Sequence, residues 1–219
     1  MSEFDIGSGL MQALIAMILV STFMLLGSKR LYTSVRAFGF QSLLLAFIAA
    51  VVAYSTGRSE IYIVALLTLI LKAVIIPYIF IKISRDLGVK REIELYVNIS
   101  PSLLIGGLLV VISHNLAQAI SVNTQLSNYA LSVSMSMLFI GLFVMISRKK
   151  ALTQMLGILV MENGLFLGAI SLTYGMPLIV EIGIFFDALV AILIMGIMVF
   201  RINKTFETVD TAALDTLIG

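Results

Sequence analysis

The 219-residue chain has no cysteine or tryptophan and only one histidine, and just 12% of its residues are charged. An average soluble domain is about one-quarter charged. Iron–sulfur clusters are held mainly by cysteines, and structural zinc by sets of Cys and His, so we expect no cofactor in this chain. The net charge of +2, with most basic residues in loops or near the ends of spans, gives no indication of nucleic-acid binding.

Apolar residues make up 60% of the chain, and the mean hydropathy is +1.12. The hydrocarbon core of a bilayer requires about 20 residues of helix to cross it, and helices are the usual way to satisfy the backbone in lipid. The sequence therefore predicts an all-α integral membrane protein with about seven transmembrane helices and no soluble domain. The predicted spans are 8–27, 32–55, 60–82, 101–121, 127–147, 151–173 and 177–201.

The positions of the basic residues test this number of spans independently. With seven spans, all of the 14 lysines and arginines except Arg58 and Lys72 fall on one side of the membrane. Basic loops remain on the cytoplasmic side. We therefore expect an inner-membrane protein with a periplasmic N-terminus and a cytoplasmic C-terminus. Residues 1–5 are acidic and lack the basic region of a signal peptide, so the first span should be retained.

Spans 1–3 and 5–7 share a layout that favours two parallel three-helix repeats, although chance similarity between apolar helices is the alternative. Gly39 and Gly157 lie within the second helix of each set, and Lys72 and Asp187 lie within the third. The single domain 1–219 is accordingly divided into a first unit (1–85), a linker with span 4 (86–125), a second unit (126–205) and a cytoplasmic tail (206–219).

Three ionisable residues lie near the middle of predicted spans: Lys72, Glu162 and Asp187. A charge at the bilayer centre costs at least about 2.5 kcal/mol, so such groups normally face protein or water and are functional candidates. The alternative is a structural ion pair. Pro77 follows Lys72 by about one turn and removes a helical hydrogen bond to the Ala73 carbonyl, which predicts a local polar pocket.

Glu162 is followed by the polar Asn163 and by Gly164, which allows close approach of another helix. Glu181 and His114 are weaker candidates, because each lies nearer a helix end, where an interfacial acid or a hydrogen-bonded histidine is common. Three further polar residues are interpreted as anchors of helix ends or as contacts with other subunits. They are Arg36, Gln41 and Gln154.

Residues 72–77 (KAVIIP), 154–164 (QMLGILVMENG) and 178–188 (LIVEIGIFFDA) resemble component E of hydrogenase-4-type formate hydrogenlyases. Spans 5–7 also resemble the K-type subunit of respiratory complex I and the C-type subunit of Mrp antiporters. In those proteins, a glutamate occupies the position of Leu159, and Glu162 follows this position by about one helical turn.

The resemblance implies a membrane-arm subunit of a group 4 [NiFe]-hydrogenase, without an active site of its own. Its partners would be antiporter-like and complex I H-type membrane subunits, and peripheral subunits that hold the nickel–iron centre and the iron–sulfur clusters. The buried groups would contribute to proton or ion translocation coupled to hydrogen evolution. The residues expected on this path are Lys72, Glu162, Asp187, Glu181 and His114.

Three other interpretations remain open at this point. An Mrp-type cation/proton antiporter or another complex I-like membrane module would show the same buried residues. A structural scaffold without a transport role would use them only to hold helices together. A retinal protein of the rhodopsin type is disfavoured, because it carries its lysine in the last span and the intramembrane lysine here is in span 3.

Overall fold

A computed structural model describes residues 2–86, 95–120, 125–173 and 196 of the chain. Helices account for nearly all of the described residues, and short turns join several of them. In chain order they are α1 (Ser2–Leu26), α2 (Leu31–Thr56), α3 (Ser59–Leu67), a π-helical segment (Thr68–Ile75), α4 (Ile76–Asp86), α5 (Ile99–Ala119), α6 (Gln125–Ser147) and α7 (Ala151–Thr173).

The all-α fold predicted from the sequence is confirmed, and six spans in the described residues are long and apolar enough to cross a membrane. Each agrees with one of the first six predicted spans to within a few residues. The third span, Ser59–Arg85, is continuous but consists of α3, the π-helical segment and most of α4. Apart from Gly196, the seventh predicted span, 177–201, lies outside the described residues, so the total of seven remains a prediction.

The helix ends follow local sequence signals. Gly57 ends α2 in the left-handed conformation, with φ of 67°, and its N–H donates to the Ala53 carbonyl. Glycine adopts this conformation without a side-chain clash. Asn98 precedes α5, and Pro101 lies in the first turn of that helix, where a missing N–H leaves no hydrogen bond unmade.

The third span contains a π-helical segment because the chain must accommodate Pro77. The Ile76 N–H donates to the carbonyl of Leu71, five residues earlier, which is the hydrogen bond of a π-helix. Gly39 of α2 packs directly against this region. A Cβ atom at Gly39 would lie 3.2 Å from the Pro77 ring and 3.4 Å from the Ala73 carbonyl oxygen. The carbonyl predicted to open a polar pocket therefore lies at a tight helix crossing.

Helices α6 and α7 have the most extensive contact between any two described helices. A Cβ atom at Gly141 would lie 2.7 Å from the Gly157 carbonyl oxygen, and one at Gly157 would lie 2.7 Å from the Gly141 carbonyl oxygen. The Ser134 hydroxyl donates to the Gly164 carbonyl at 2.7 Å. Small residues thus let the two backbones touch, which confirms the role predicted for Gly164.

The two predicted three-helix units are in contact through α1 with α6 and through α2 with α7. The last span of the second unit lies outside the described residues, so the repeat and the domain division remain predictions. Helix α5 is the most exposed span, with Leu104, Leu108 and Val111 each more than half exposed. Apolar side chains on the outside and polar ones within are the arrangement expected of a protein surrounded by lipid.

Candidate functional site

The centre of the described structure contains an ion pair between two helices. The Lys72 Nζ atom lies 2.7 Å from Glu162 Oε1, and the two side chains are only 2% and 9% exposed. Lys72 belongs to the π-helical segment of the third span, and Glu162 lies near the middle of α7. Two of the three candidates at mid-membrane depth therefore form a pair, as the structural alternative in the sequence analysis anticipated.

A chain of hydrogen bonds extends from this pair across two further helices. Lys72 Nζ donates to Asn163 Oδ1 at 3.3 Å, and Asn163 Nδ2 donates to Gln41 Oε1 at 3.0 Å and to Ser42 Oγ at 3.1 Å. Gln41 Nε2 then donates to Thr22 Oγ1 at 2.7 Å. All of these residues are buried, and together they join the third span, α7, α2 and α1.

Backbone packing brings these side chains together. Gly39 lies two residues before Gln41, and its contact with Pro77 and Ala73 places α2 against the segment that carries Lys72. On the other side, the glycines of α7 face α6. Glu162 and Asn163 are thereby directed to the α2 side of α7, where the hydrogen bonds to Gln41 and Ser42 form.

The two sides of Lys72 differ in how their polar atoms are satisfied. Asn163 and Gln41 use both their donor and their acceptor atoms in hydrogen bonds. By contrast, the Glu162 carboxylate has the 2.7 Å ion pair of Oε1 with Lys72 but no further hydrogen-bonding partner among the described residues. The buried Thr68 hydroxyl, one turn before Lys72, also has no partner there. Native proteins contain few such groups, and each calls for an explanation.

The aromatic ring of Phe166 also lies beside the Lys72 ammonium group. Its ring centroid lies 5.7 Å from Lys72 Nζ, within the range of a cation–π interaction. Phe166 is itself buried and follows Glu162 by one helical turn on α7. The ammonium group is therefore surrounded by a carboxylate, an amide oxygen and an aromatic face, which together offset part of the cost of removing its charge from water.

A second buried charge, Arg148, lies at the end of the bundle. Its Nη2 donates to the Leu26 carbonyl at 2.6 Å, while Nη1 has no partner in the described structure. Burial lowers the pKa of Arg148 to about 10, so the guanidinium remains charged at neutral pH. The adjoining Ser147 carbonyl accepts a hydrogen bond from the Tyr96 N–H, and Gln154 Nε2 donates to the Arg148 carbonyl. Gln154 is thus an anchor of a helix end, as predicted.

His114 lies apart from the ion pair. It is exposed on α5, and its ring nitrogens are each 3.4 Å from a neighbour, Nδ1 from the Ser132 hydroxyl and Nε2 from the Gln118 amide. None of the described hydrogen bonds connects it to Lys72 or Glu162.

Asp187 and Glu181 lie outside the described residues. The roles of these two residues and of His114 on the path remain predictions, and among the described residues no three His, Asp or Glu side chains form a metal site.

The structure corrects one prediction made from the sequence. Gln41 is interpreted there as a helix-end anchor or a subunit contact, but it is buried within the hydrogen-bonded chain. Thr22 and Ser42 are two members of the hydrogen-bonded chain that the sequence did not indicate. Serine and threonine are common in membrane helices, so their presence in a span does not by itself mark a functional site. Gln41, which lies ten residues into an apolar span, was the one sequence feature that could have indicated the hydrogen-bonded chain.

The fold and the site together define a multi-pass α-helical membrane protein with a lysine–glutamate pair in its interior. The chain is 25% identical over 214 residues to "Hydrogenase-4 component E" of Escherichia coli K12 and of Shigella flexneri, covering 97% of this chain and 99% of each relative. The chain is therefore similar to hydrogenase-4 component E over nearly its whole length, which confirms the resemblance seen in the motifs.

A further relative is the uncharacterized protein Rv0085 of Mycobacterium tuberculosis, which is 27% identical over 202 residues. These cover 91% of this chain and 92% of that protein. No protein-family model matches the chain. No solved structure matches it significantly.

Proposed function

We propose that this protein is a membrane-arm subunit of a group 4 [NiFe]-hydrogenase complex of the formate hydrogenlyase type. The similarity to hydrogenase-4 component E along almost the whole chain supports this assignment. The nickel–iron centre and the iron–sulfur clusters belong to peripheral partner subunits. The neighbours in the membrane are antiporter-like and complex I H-type subunits, and this chain carries out no redox chemistry itself.

Within that complex, Lys72 and Glu162 carry part of the proton or ion translocation. The observation that carries this proposal is the ion pair between them, buried midway along two spans. A buried pair is weak evidence for added stability, because desolvation offsets most of the attraction. A pair at this depth is better explained by exchange of a charge or a proton. The π-helical segment that carries Lys72 supports the same proposal, since such segments are frequent at functional sites.

The distribution of basic residues supports an inner-membrane location, with the ends of α1 and α6 on the cytoplasmic side. This orientation places the N-terminus in the periplasm and the C-terminus in the cytoplasm. A reporter inserted after Lys150 should be active only as a cytoplasmic fusion, and one inserted after Gly57 only as a periplasmic fusion. The opposite result at both positions would reverse the proposed orientation.

Two other functions share part of this support. A subunit of an Mrp-type antiporter or another complex I-like module would contain the same ion pair and would differ only in its partners. A scaffold without transport is supported by the hydrogen bonds that join four spans around Asn163. Beyond the ion pair with Lys72, the Glu162 carboxylate has no hydrogen-bonding partner among the described residues, which counts against a purely structural role, since a structural carboxylate normally accepts several hydrogen bonds.

Purification of the native complex through an affinity tag on this subunit, followed by mass spectrometry, tests the assignment. We expect hydrogenase large and small subunits together with antiporter-like membrane subunits. Recovery of antiporter subunits with no hydrogenase subunit would favour the Mrp-type alternative. A tagged chain that is isolated as a stable monomer would contradict the assignment to any complex. The same tag on an unrelated inner-membrane protein provides the control.

A further inference from the structure

The hydrogen-bonded chain from Lys72 to α1 has only one possible polarity. An ammonium group has donors but no acceptor, and a backbone carbonyl accepts but cannot donate. Lys72 stands at one end of the chain. At the other end, the Thr22 hydroxyl donates to the Ile18 carbonyl at 2.9 Å. Both ends are therefore fixed by chemistry, and every group between them must point in the same direction.

This polarity determines the orientation of both amides. Asn163 has to present its oxygen to Lys72, so its nitrogen faces Gln41. Gln41 has to present its oxygen to Asn163, so its nitrogen faces Thr22. Turning either amide over would bring two donors together; it would break two hydrogen bonds at Gln41 and three at Asn163. Because the chain is buried, no solvent would replace them.

From this geometry we infer that Thr22, Gln41 and Asn163 are positioning residues that hold the Lys72 ammonium against Glu162, Asn163 directly and Thr22 through three successive hydrogen bonds. Without the Thr22 hydroxyl, the Gln41 nitrogen loses its acceptor and the amide is held less firmly. Asn163 then depends on the Ser42 hydroxyl as its remaining firm acceptor, so its oxygen is held less firmly toward Lys72. The effect of a change in α1 is thereby transmitted to the ion pair between the third span and α7.

The same geometry gives Lys72 two chemically different polar contacts, a carboxamide and a carboxylate. Carboxamide groups do not readily gain or lose protons, so the chain through Asn163 and Gln41 orients Lys72 without conducting protons. Apart from the 2.7 Å ion pair with Lys72, the carboxylate oxygens of Glu162 have no hydrogen-bonding partner among the described residues. Of the two groups, Asn163 and Glu162, only the carboxylate can therefore accept a proton from Lys72. This inference about direction rests on the proposed relay, whereas the positioning of Lys72 by Thr22 does not.

The test measures how rapidly Glu162 reacts with dicyclohexylcarbodiimide in membranes that contain the full-length protein in its native complex. This apolar reagent attacks protonated carboxyl groups, so a carboxylate paired with Lys72 reacts slowly. Mass spectrometry of the peptide containing Glu162 gives the rate. Lys72→Met removes the partner and should give the fastest labelling. If it labels at the wild-type rate, the ion pair does not control Glu162 and the inference is overturned.

Thr22→Val keeps the shape of the side chain but removes the hydroxyl. We expect labelling of Glu162 to be about fivefold faster, the factor that corresponds to one ordinary hydrogen bond. Thr22→Ser restores the hydroxyl and should return the rate to that of the wild type. Gln41→Met removes both amide contacts and should accelerate labelling at least as much as Thr22→Val. It serves as a second variant if Thr22→Val fails to accumulate.

Ser21 provides a matched control, because it is buried on the same helix and its hydroxyl donates to the same Ile18 carbonyl at 2.7 Å. It makes no described contact with Gln41, so Ser21→Ala should label Glu162 at the wild-type rate. Equal rates for Thr22→Val, Ser21→Ala and the wild type, with fast labelling of Lys72→Met, would overturn the inference. Since labelling does not depend on proton transport, a failure of the proposed relay would leave this result unaffected.

Discussion

The two buried cations of this protein, Lys72 and Arg148, are held in different ways. Lys72 lies in the middle of a span, 2.7 Å from the Glu162 carboxylate and within a hydrogen-bonded chain. Arg148 lies immediately after α6, where it donates to the Leu26 carbonyl at the end of α1. None of the described residues supplies a carboxylate to Arg148. One cation thus has a titratable partner, and the other contacts backbone.

This difference separates a charge that can take part in exchange from one that supports the fold. The carbonyl groups at a helix C-terminus carry a partial negative charge that attracts a cation but cannot accept its proton. Arg148 joins the ends of α1 and α6 in this way. A carboxylate, unlike a backbone carbonyl, can accept a proton from its partner. Burial alone therefore does not distinguish the two cations, whereas the chemistry of the partner does.

The largest effect is expected from Lys72→Met, which leaves the Glu162 carboxylate buried without its partner. Breaking a buried pair from one side typically costs about 3–5 kcal/mol. We expect the amount of subunit in the assembled complex to fall strongly and coupled proton movement to be lost. Quantitative immunoblotting of membranes and of the purified complex measures the first effect.

The double variant Lys72→Met/Glu162→Gln distinguishes an unpaired charge from a lost side chain. With both groups neutral, most of the assembly defect should disappear, while proton movement should remain absent. If the double variant assembled no better than Lys72→Met alone, the defect would come from lost packing of the lysine stem, and the argument from charge would be wrong.

A smaller effect is expected from Arg148→Met, which removes a hydrogen bond from a charged donor, an interaction worth about 1.5–3 kcal/mol. The melting temperature of the purified complex should fall, because the Leu26 carbonyl is left without its guanidinium donor. Proton movement per molecule of assembled complex should be unchanged. Arg148→Lys, which keeps the charge, should recover part of the stability. Loss of proton movement in a stable Arg148→Met complex would show that the two cations do not differ as proposed.

The smallest effect is expected at His114, which is exposed and has no described hydrogen bond to the ion pair. Replacement of His114 by Gln keeps a polar side chain near Ser132 and removes the titratable ring. Both the amount of the complex and its proton movement should remain close to those of the wild type. A clear loss of proton movement at normal complex levels would instead place His114 on the path.

The sequence predicted the helices and the two central charges because each leaves a local signal. Apolar runs of membrane-spanning length identify the helices, and a charge such as Lys72 within one of them is conspicuous. It did not predict which charges pair, because Lys72 and Glu162 are 90 residues apart and lie on helices that both pack against α2.

Arg148 is a second charge whose surroundings could not be predicted from the sequence. In the sequence it stands in the basic run 148–150, which is typical of a loop outside the membrane, and it is counted there with the topogenic charges. In the structure it is 2% exposed, whereas Lys149 is exposed and lies 5.1 Å from the Tyr96 ring centroid. Neighbouring residues of one charge therefore have different roles, and only the positions of the α1 and α6 ends distinguish them.

Glu162→Gln most directly tests the claim that the central pair carries charge during turnover. The amide keeps the size of the side chain and leaves Lys72 an oxygen acceptor, so the loss of assembled complex should be smaller than for Lys72→Met, which leaves a carboxylate without its cationic donor. Proton movement into sealed membrane vesicles, measured together with hydrogen evolution, gives the coupling ratio. We predict that hydrogen evolution continues at least in part, while proton movement per hydrogen falls at least about tenfold, as expected when an essential proton carrier is removed. A Glu162→Gln complex that assembles and moves protons at the wild-type ratio would contradict the account and leave the pair with a structural role alone.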